Sequence, residues 1–99
     1  MLPLCADCGG LLRPHIVWFG ESLAEEDLRR SGIALQSSDL CLIIGTSGLV
    51  YPAAGFASLA KQAGAFVAEI NLDSTPHTNR VDASIQGRAK DLVPLLLQP

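Results

Sequence analysis

A cysteine pair, a glycine–hydroxyl loop and an asparagine at the end of an apolar run are the features of this chain from which a site is most readily built. Cys5 and Cys8 stand at C-x-x-C spacing with Gly9 and Gly10 behind them. Two thiolates so spaced can face one zinc ion, and a following glycine lets the backbone turn tightly. A structural zinc needs four ligands, usually two such pairs about fifteen to twenty residues apart. Only one pair is present, and Cys41 lies within an apolar run where it is expected to point into a core. Half a zinc site, a redox pair and plain thiols are all compatible with the spacing. A redox pair would normally open a helix, which Gly9-Gly10 disfavours, so the adopted reading is a zinc half-site.

Gly45-Thr46-Ser47-Gly48 follows the apolar run Asp39–Ile44. Small residues there let a phosphate or ribose approach the backbone, and hydroxyls and free N–H groups can bind it. The loop has neither the GK[ST] ending of a Walker loop nor the GxGxxG fingerprint, and an ordinary strand-to-helix turn is the competing reading. Asn71 closes the next apolar run, where its amide could reach a ribose. His15 and His77 lack an evident nucleophile partner; His77 is expected to be solvated in a polar loop. Glu25, Glu26 and Asp27 suit the first turn of a helix. Glu69, inside a strand, has no evident role.

The elements that must position these residues follow from periodicity. His15–Phe19 (HIVWF) reads as a short strand closed by Gly20. Ser22 and Glu25 have capping-box spacing, predicting a helix from Leu23 with Ala24, Leu28 and Leu35 on its buried face and Gly32 weakening its interior. Asp39–Ile44 is a continuous apolar run, as expected of a strand covered on both faces of a parallel sheet, and Phe66–Ile70 reads as another buried strand. Between them Pro52 suits a first helical turn, Ala53, Phe56, Ala57, Ala60 and Ala63 form a narrow face, and Gly64 stops the helix. An apolar piece at Val81–Ile85 and a helix over Asp91–Leu97 complete the chain. Strands alternating with helices predict an α/β parallel sheet, with ligands bound in the loops after the strands.

At 99 residues the chain is at most one small domain, yet it is 48% hydrophobic with few aromatic residues. That composition suits faces built to pack against something further. A net charge of −3 gives no basic footprint for nucleic acid. No apolar run of about eighteen residues suggests a membrane span, and no secretory leader is evident. An intracellular, cytoplasmic location is the default expectation, with the three cysteines as thiols or ligands.

Taken in order, four segments resemble the sirtuin family: Cys5-Ala-Asp-Cys8 leading to Trp18-Phe19-Gly20-Glu21, then Gly45–Ala54 (GTSGLVYPAA), Glu69–Asp73 (EINLD) and Gly87-Arg88-Ala89. The resemblance implies an NAD-dependent protein-lysine deacylase, of deacetylase or desuccinylase type. Residues 1–14 would be the end of a zinc-binding module. Residues 15–99 would be the C-terminal part of a Rossmann-like NAD-binding domain, a partial doubly wound parallel sheet. Cys5 and Cys8 would be two ligands of a structural Zn2+. Gly45, Thr46 and Ser47 would contact NAD, with Asn71, Leu72, Asp73 and Ala89 around its adenosine end. Val17, Trp18, Phe19, Gly20 and Glu21 on one side, and Leu49, Val50 and Tyr51 on the other, would flank an extended acyl-lysine peptide.

The family's opening GAGxS loop, its first cysteine pair and its QNxDxLH-like segment with the general-base histidine have no match among these residues. His15 does not match that histidine. No catalytic residue is therefore assigned, and the chain is expected to be a C-terminal portion with negligible turnover alone. The alternative is an inactive sirtuin fragment or a nucleotide-binding remnant. The oligomeric state is open.

Overall fold

A computed structural model describes residues 1–99. Three parallel strands, β1 (Leu40–Ile44), β2 (Phe66–Asn71) and β3 (Ala83–Gln86), lie side by side in chain order. Three helices accompany them: α1 (Glu25–Gln36), α2 (Phe56–Gln62) and α3 (Ala89–Leu96). The α/β parallel architecture is thus the one the apolar runs indicate.

The register places Cys41 beside Val67 and Ile43 beside Glu69, so these side chains share one face. On that face Ala57 and Ala60 of α2 meet Ala65 and Val67, with Leu35 of α1, Cys41, Ile43 and Val81 around them. Alanines let α2 approach the sheet closely, which is why its narrow stripe is the centre of the small core. Gly64, at φ +99°, ends α2 in a Schellman turn. Its N–H donates to Lys61 O at 3.0 Å, and the Ala65 N–H to Ala60 O at 3.0 Å.

The opposite face is open. Leu40, Leu42 and Ile44, with Phe66 and Ile85 beside them in register, are 37–55% exposed, and only Ala68 and Ile70 are covered. The radius of gyration is 17.1 Å, against roughly 13 Å for a compact chain of this size. Much of the apolar content is therefore uncovered, on this sheet face and in the N-terminal segment, where Leu2, Leu11 and Phe19 are exposed.

Several local expectations are corrected. His15–Phe19 forms no strand. β-propensity reports fit to a pleated surface beside a neighbour, and no strand lies alongside; the Trp18 N–H instead donates to Glu21 Oε2 at 3.0 Å. Helix α1 starts at Glu25 with Ala24 at the N-cap and no side-chain cap, so Ser22 does not close a capping box. Its acidic first turn, Glu25, Glu26 and Asp27, complements the dipole instead. Leu28 and Leu35 are half-buried, whereas Ala24 is exposed. After a cis Tyr51–Pro52 bond a 3-10 turn (Ala53–Gly55) precedes α2, and α3 begins at Ala89 rather than Asp91.

Candidate functional site

The carboxyl ends of the three strands come together through two bonds beyond the regular ladder. The Gly45 N–H donates to Ile70 O at 2.9 Å, and the Gly87 N–H to Asn71 O at 2.9 Å. Gly45 turns the chain at φ +67°, a conformation that a side chain would strain. The result is a cleft of about 340 Å³ lined by Gly45, Asn71, Leu72, Gly87, Arg88 and Ala89, among others.

Asn71 uses both ends of its amide. Its Nδ2 donates to Thr46 O at 2.6 Å, and its Oδ1 accepts the Leu72 N–H at 2.9 Å. Helix α3 begins at the cleft, and its Ala89 and Lys90 N–H groups have no backbone acceptor. The hydroxyls of Thr46 and Ser47 accept the Gly48 and Leu49 N–H groups at 3.3 and 3.4 Å, closing two small turns. A cleft walled by glycine backbone, one fixed amide and two free helical N–H groups fits the ribose and phosphate chemistry of a dinucleotide. Of the residues singled out for NAD, the structure brings Gly45, Asn71, Leu72 and Ala89 to this cleft, with Thr46 joined through Asn71; Ser47 and Asp73 do not line it.

A second groove, of about 510 Å³, is lined in part by the end of the 45–51 segment. Val17, Trp18, Phe19, Gly20 and Glu21 form one wall, and Val50 and Tyr51 line the other; Leu49 stands outside it. Arg13, which sequence reasoning passed over, holds the first wall. Its Nη1 donates to Glu21 Oε1 at 2.7 Å and its Nη2 to Glu21 Oε2 at 3.2 Å, while the guanidinium lies 5.0 Å from the centroid of the Trp18 ring. This guanidinium, with the Trp18 N–H, lowers the Glu21 pKa below the ordinary carboxylate value.

Residues 3–12 form a hairpin closed by a Leu4–Leu11 bridge, with the cysteines at its tip. The Cys5 N–H donates to Gly10 O at 2.8 Å, and the Gly9 N–H returns to Cys5 O at 2.9 Å. The Cys8 N–H, then the Asp7 N–H and the Cys8 thiol, lower the pKa of Cys5, which favours the thiolate that a metal requires. No third His, Cys, Asp or Glu joins them, so the donors present fit half a tetrahedral site. Cys41 packs against the core, and burial raises its thiol pKa.

His77 departs from expectation: it is buried against the Gly45–Gly48 loop rather than solvated. Glu69 is likewise buried and fully partnered. Neither histidine lines the 340 Å³ cleft or the 510 Å³ groove.

The sequence model of the Sir2 family matches residues 1–52. NAD-dependent protein deacylase 2 of Pyrobaculum aerophilum is 50% identical over 96 residues, which are 97% of this chain and 39% of that protein. The mitochondrial NAD-dependent protein deacylase sirtuin-5 of Canis lupus familiaris is 49% identical over 100 residues, 99% of this chain and 32% of that one. The chain thus spans about two fifths or less of the curated relatives it matches. Among solved structures, a Sir2 homologue in complex with NAD superposes with a TM-score of 0.86 at 42% identity, covering 97% of this chain and 38% of that one. A Sir2 protein bound to an acetylated peptide superposes with a TM-score of 0.83 at 30% identity, covering 97% and 40%.

Proposed function

The chain belongs to the Sir2 family, and we propose that it is the NAD- and acyl-lysine-binding C-terminal part of an NAD-dependent protein-lysine deacylase, of deacetylase or desuccinylase type. One observation carries this reading. A single short segment, Gly45–Tyr51, contributes Gly45 to the nucleotide cleft and Val50 and Tyr51 to the neighbouring groove. A nucleotide in the first and an extended peptide in the second would meet across that segment. The relatives named as NAD-dependent deacylases, and the similar structures holding NAD or an acetylated peptide, support the same assignment.

In this reading Gly45, Thr46, Asn71, Leu72 and Ala89 hold the nucleotide, with Ser47 and Asp73 at its margin. NAD supplies the ribose carbon that accepts the acyl oxygen and the nicotinamide that leaves. This chain's own groups bind and orient. Val17–Glu21 and Leu49–Tyr51 grip the peptide main chain, which tolerates varied sequences. Cys5 and Cys8 contribute two of the four donors of a structural zinc.

The placement of both histidines away from cleft and groove favours a second reading for the chain on its own: a nucleotide-binding piece without turnover. A chimera separates the two. Residues 1–99 replace the matching 96-residue segment of the Pyrobaculum relative, and the chimera is supplied with an acyl-lysine peptide. NAD-dependent nicotinamide release coupled to deacylation is expected. A folded chimera that binds NAD yet releases no nicotinamide contradicts the deacylase reading and leaves the second.

A further inference from the structure

Glu69 lies in the middle of β2, between Ile43 and Ser84 in register, and is 1% exposed. A strand residue facing the α2 core would ordinarily be apolar, because a buried carboxyl group needs its polar atoms satisfied. Here hydroxyls satisfy it. Thr75 Oγ1 donates to Glu69 Oε2, Thr78 Oγ1 donates to Oε1 at 2.6 Å, and Ser84 Oγ donates to Oε1 at 3.4 Å.

The threonines are themselves oriented. Thr78 Oγ1 accepts the Thr75 N–H at 2.8 Å, and Thr75 Oγ1 accepts the His77 N–H at 3.2 Å. Each hydroxyl therefore accepts from the loop backbone and gives its one proton to Glu69. The turn at residues 75–78 is fastened to the strand just before Asn71. Within that turn the His77 ring rests on Gly48, where an added Cβ would stand 2.7 Å from Nε2. The loop fastened by Glu69 thus abuts the loop that bears Gly45 and Thr46.

We propose that Glu69, acting through Thr75, Thr78 and His77, is a positioning residue of the nucleotide cleft. It sets the separation between the Gly45–Gly48 loop and Asn71–Leu72, an inference that rests on reading that cleft as the NAD site. Glu69 touches no ligand. Its effect passes through hydroxyls to an imidazole that lies against Gly48, at a spot where any side chain on that residue would clash with the ring.

The test uses the full chain and three variants, with residue-resolved amide exchange, backbone shifts and an NAD titration. Glu69→Gln keeps the size but turns one acceptor into a donor aimed at a hydroxyl proton. Exchange at Thr75, His77 and Thr78 is expected to speed up by about tenfold, the Gly48 amide to shift, and Val67 and Ile70 to stay unchanged. NAD affinity is expected to fall by a similar factor. Thr78→Val should reproduce these changes, and Thr78→Ser, which keeps the hydroxyl, should restore them. Uniform acceleration through β1 and β2 overturns the proposal by making Glu69 a general stability residue. Changes confined to residues 75–78 with Gly48 unmoved overturn it equally. A wild-type chain that binds no NAD refutes the reading of the cleft, while the Gly48 response still decides the coupling.

Discussion

Asn71 and Thr46 stand 25 residues apart in sequence, and the Asn71 side-chain Nδ2 donates to the Thr46 carbonyl oxygen at 2.6 Å. This bond ties the end of β2 to the loop after β1 and so joins the two walls of the cleft. The Leu72 N–H on Oδ1 fixes which way the amide faces.

Asn71→Asp keeps the shape and places a carboxylate oxygen against that carbonyl. The fold should survive, as judged by an unchanged far-UV spectrum. NAD affinity should fall by about tenfold or more, because a hydrogen bond becomes a repulsive contact. Unchanged affinity in a titration would show that the tie does not shape the cleft.

Arg13 lends itself to an optical test because Trp18 is the only tryptophan. Arg13→Ala removes both the forked bond to Glu21 and the cation over the ring. The Trp18 emission is expected to shift and acyl-peptide binding to weaken. The urea midpoint should barely move, since the pair is exposed and screened by solvent. A large loss of stability with unaltered emission would place Arg13 outside the groove's architecture.

Much of the sheet was legible in the residues because its signal is local. Leu40–Ile44 is apolar on both sides of the pleat, Phe66–Ile70 is so but for Glu69, and Gly64 marks the end of α2. Gly45 and Asn71 could be singled out because strand ends in such sheets face the ligand side. The features that escaped depend on distant partners. Glu69 looks misplaced until Thr75 and Thr78 fold back upon it, and His77 looks solvated until Gly48 covers it. HIVWF has strand composition but no neighbouring strand, and Arg13 matters only because Glu21 returns to it.

Asp82, just before β3, ties two elements together. Its Oδ1 accepts from Lys61 Nζ of α2 at 2.6 Å, and its Oδ2 accepts from the Val67 N–H of β2 at 2.8 Å. The Lys61 bond first, and the Val67 N–H after it, lower the Asp82 pKa below the ordinary aspartate value. A lowered folded-state pKa gives stability that is present above the unfolded value, about 3.9, and is lost as pH falls through the folded one. Glu21 and Glu26 shift in the same direction, so a mutant comparison is needed. Between about pH 7 and about pH 3, Asp82→Asn should lose less stability than the parent chain in urea unfolding. An equal loss in both would remove Asp82 from the acid response.

The open sheet face should make the chain adhesive. Leu40, Leu42, Ile44 and Phe66 form a contiguous exposed apolar surface of the kind that associates. Concentration-dependent self-association and binding of a hydrophobic dye are expected, both reduced by Leu42→Lys with Phe66→Lys. A monomer that takes up no dye would mean that the face is covered in solution.

The most direct measurement is a residue-resolved NMR titration of the chain with NAD into the millimolar range. The largest amide shifts are expected at Gly45, Thr46, Asn71, Leu72 and Ala89, with the hairpin at Cys5–Gly10 unaffected. Absence of any shift, or shifts centred away from the carboxyl ends of β1, β2 and β3, would contradict the reading of the cleft as the NAD site.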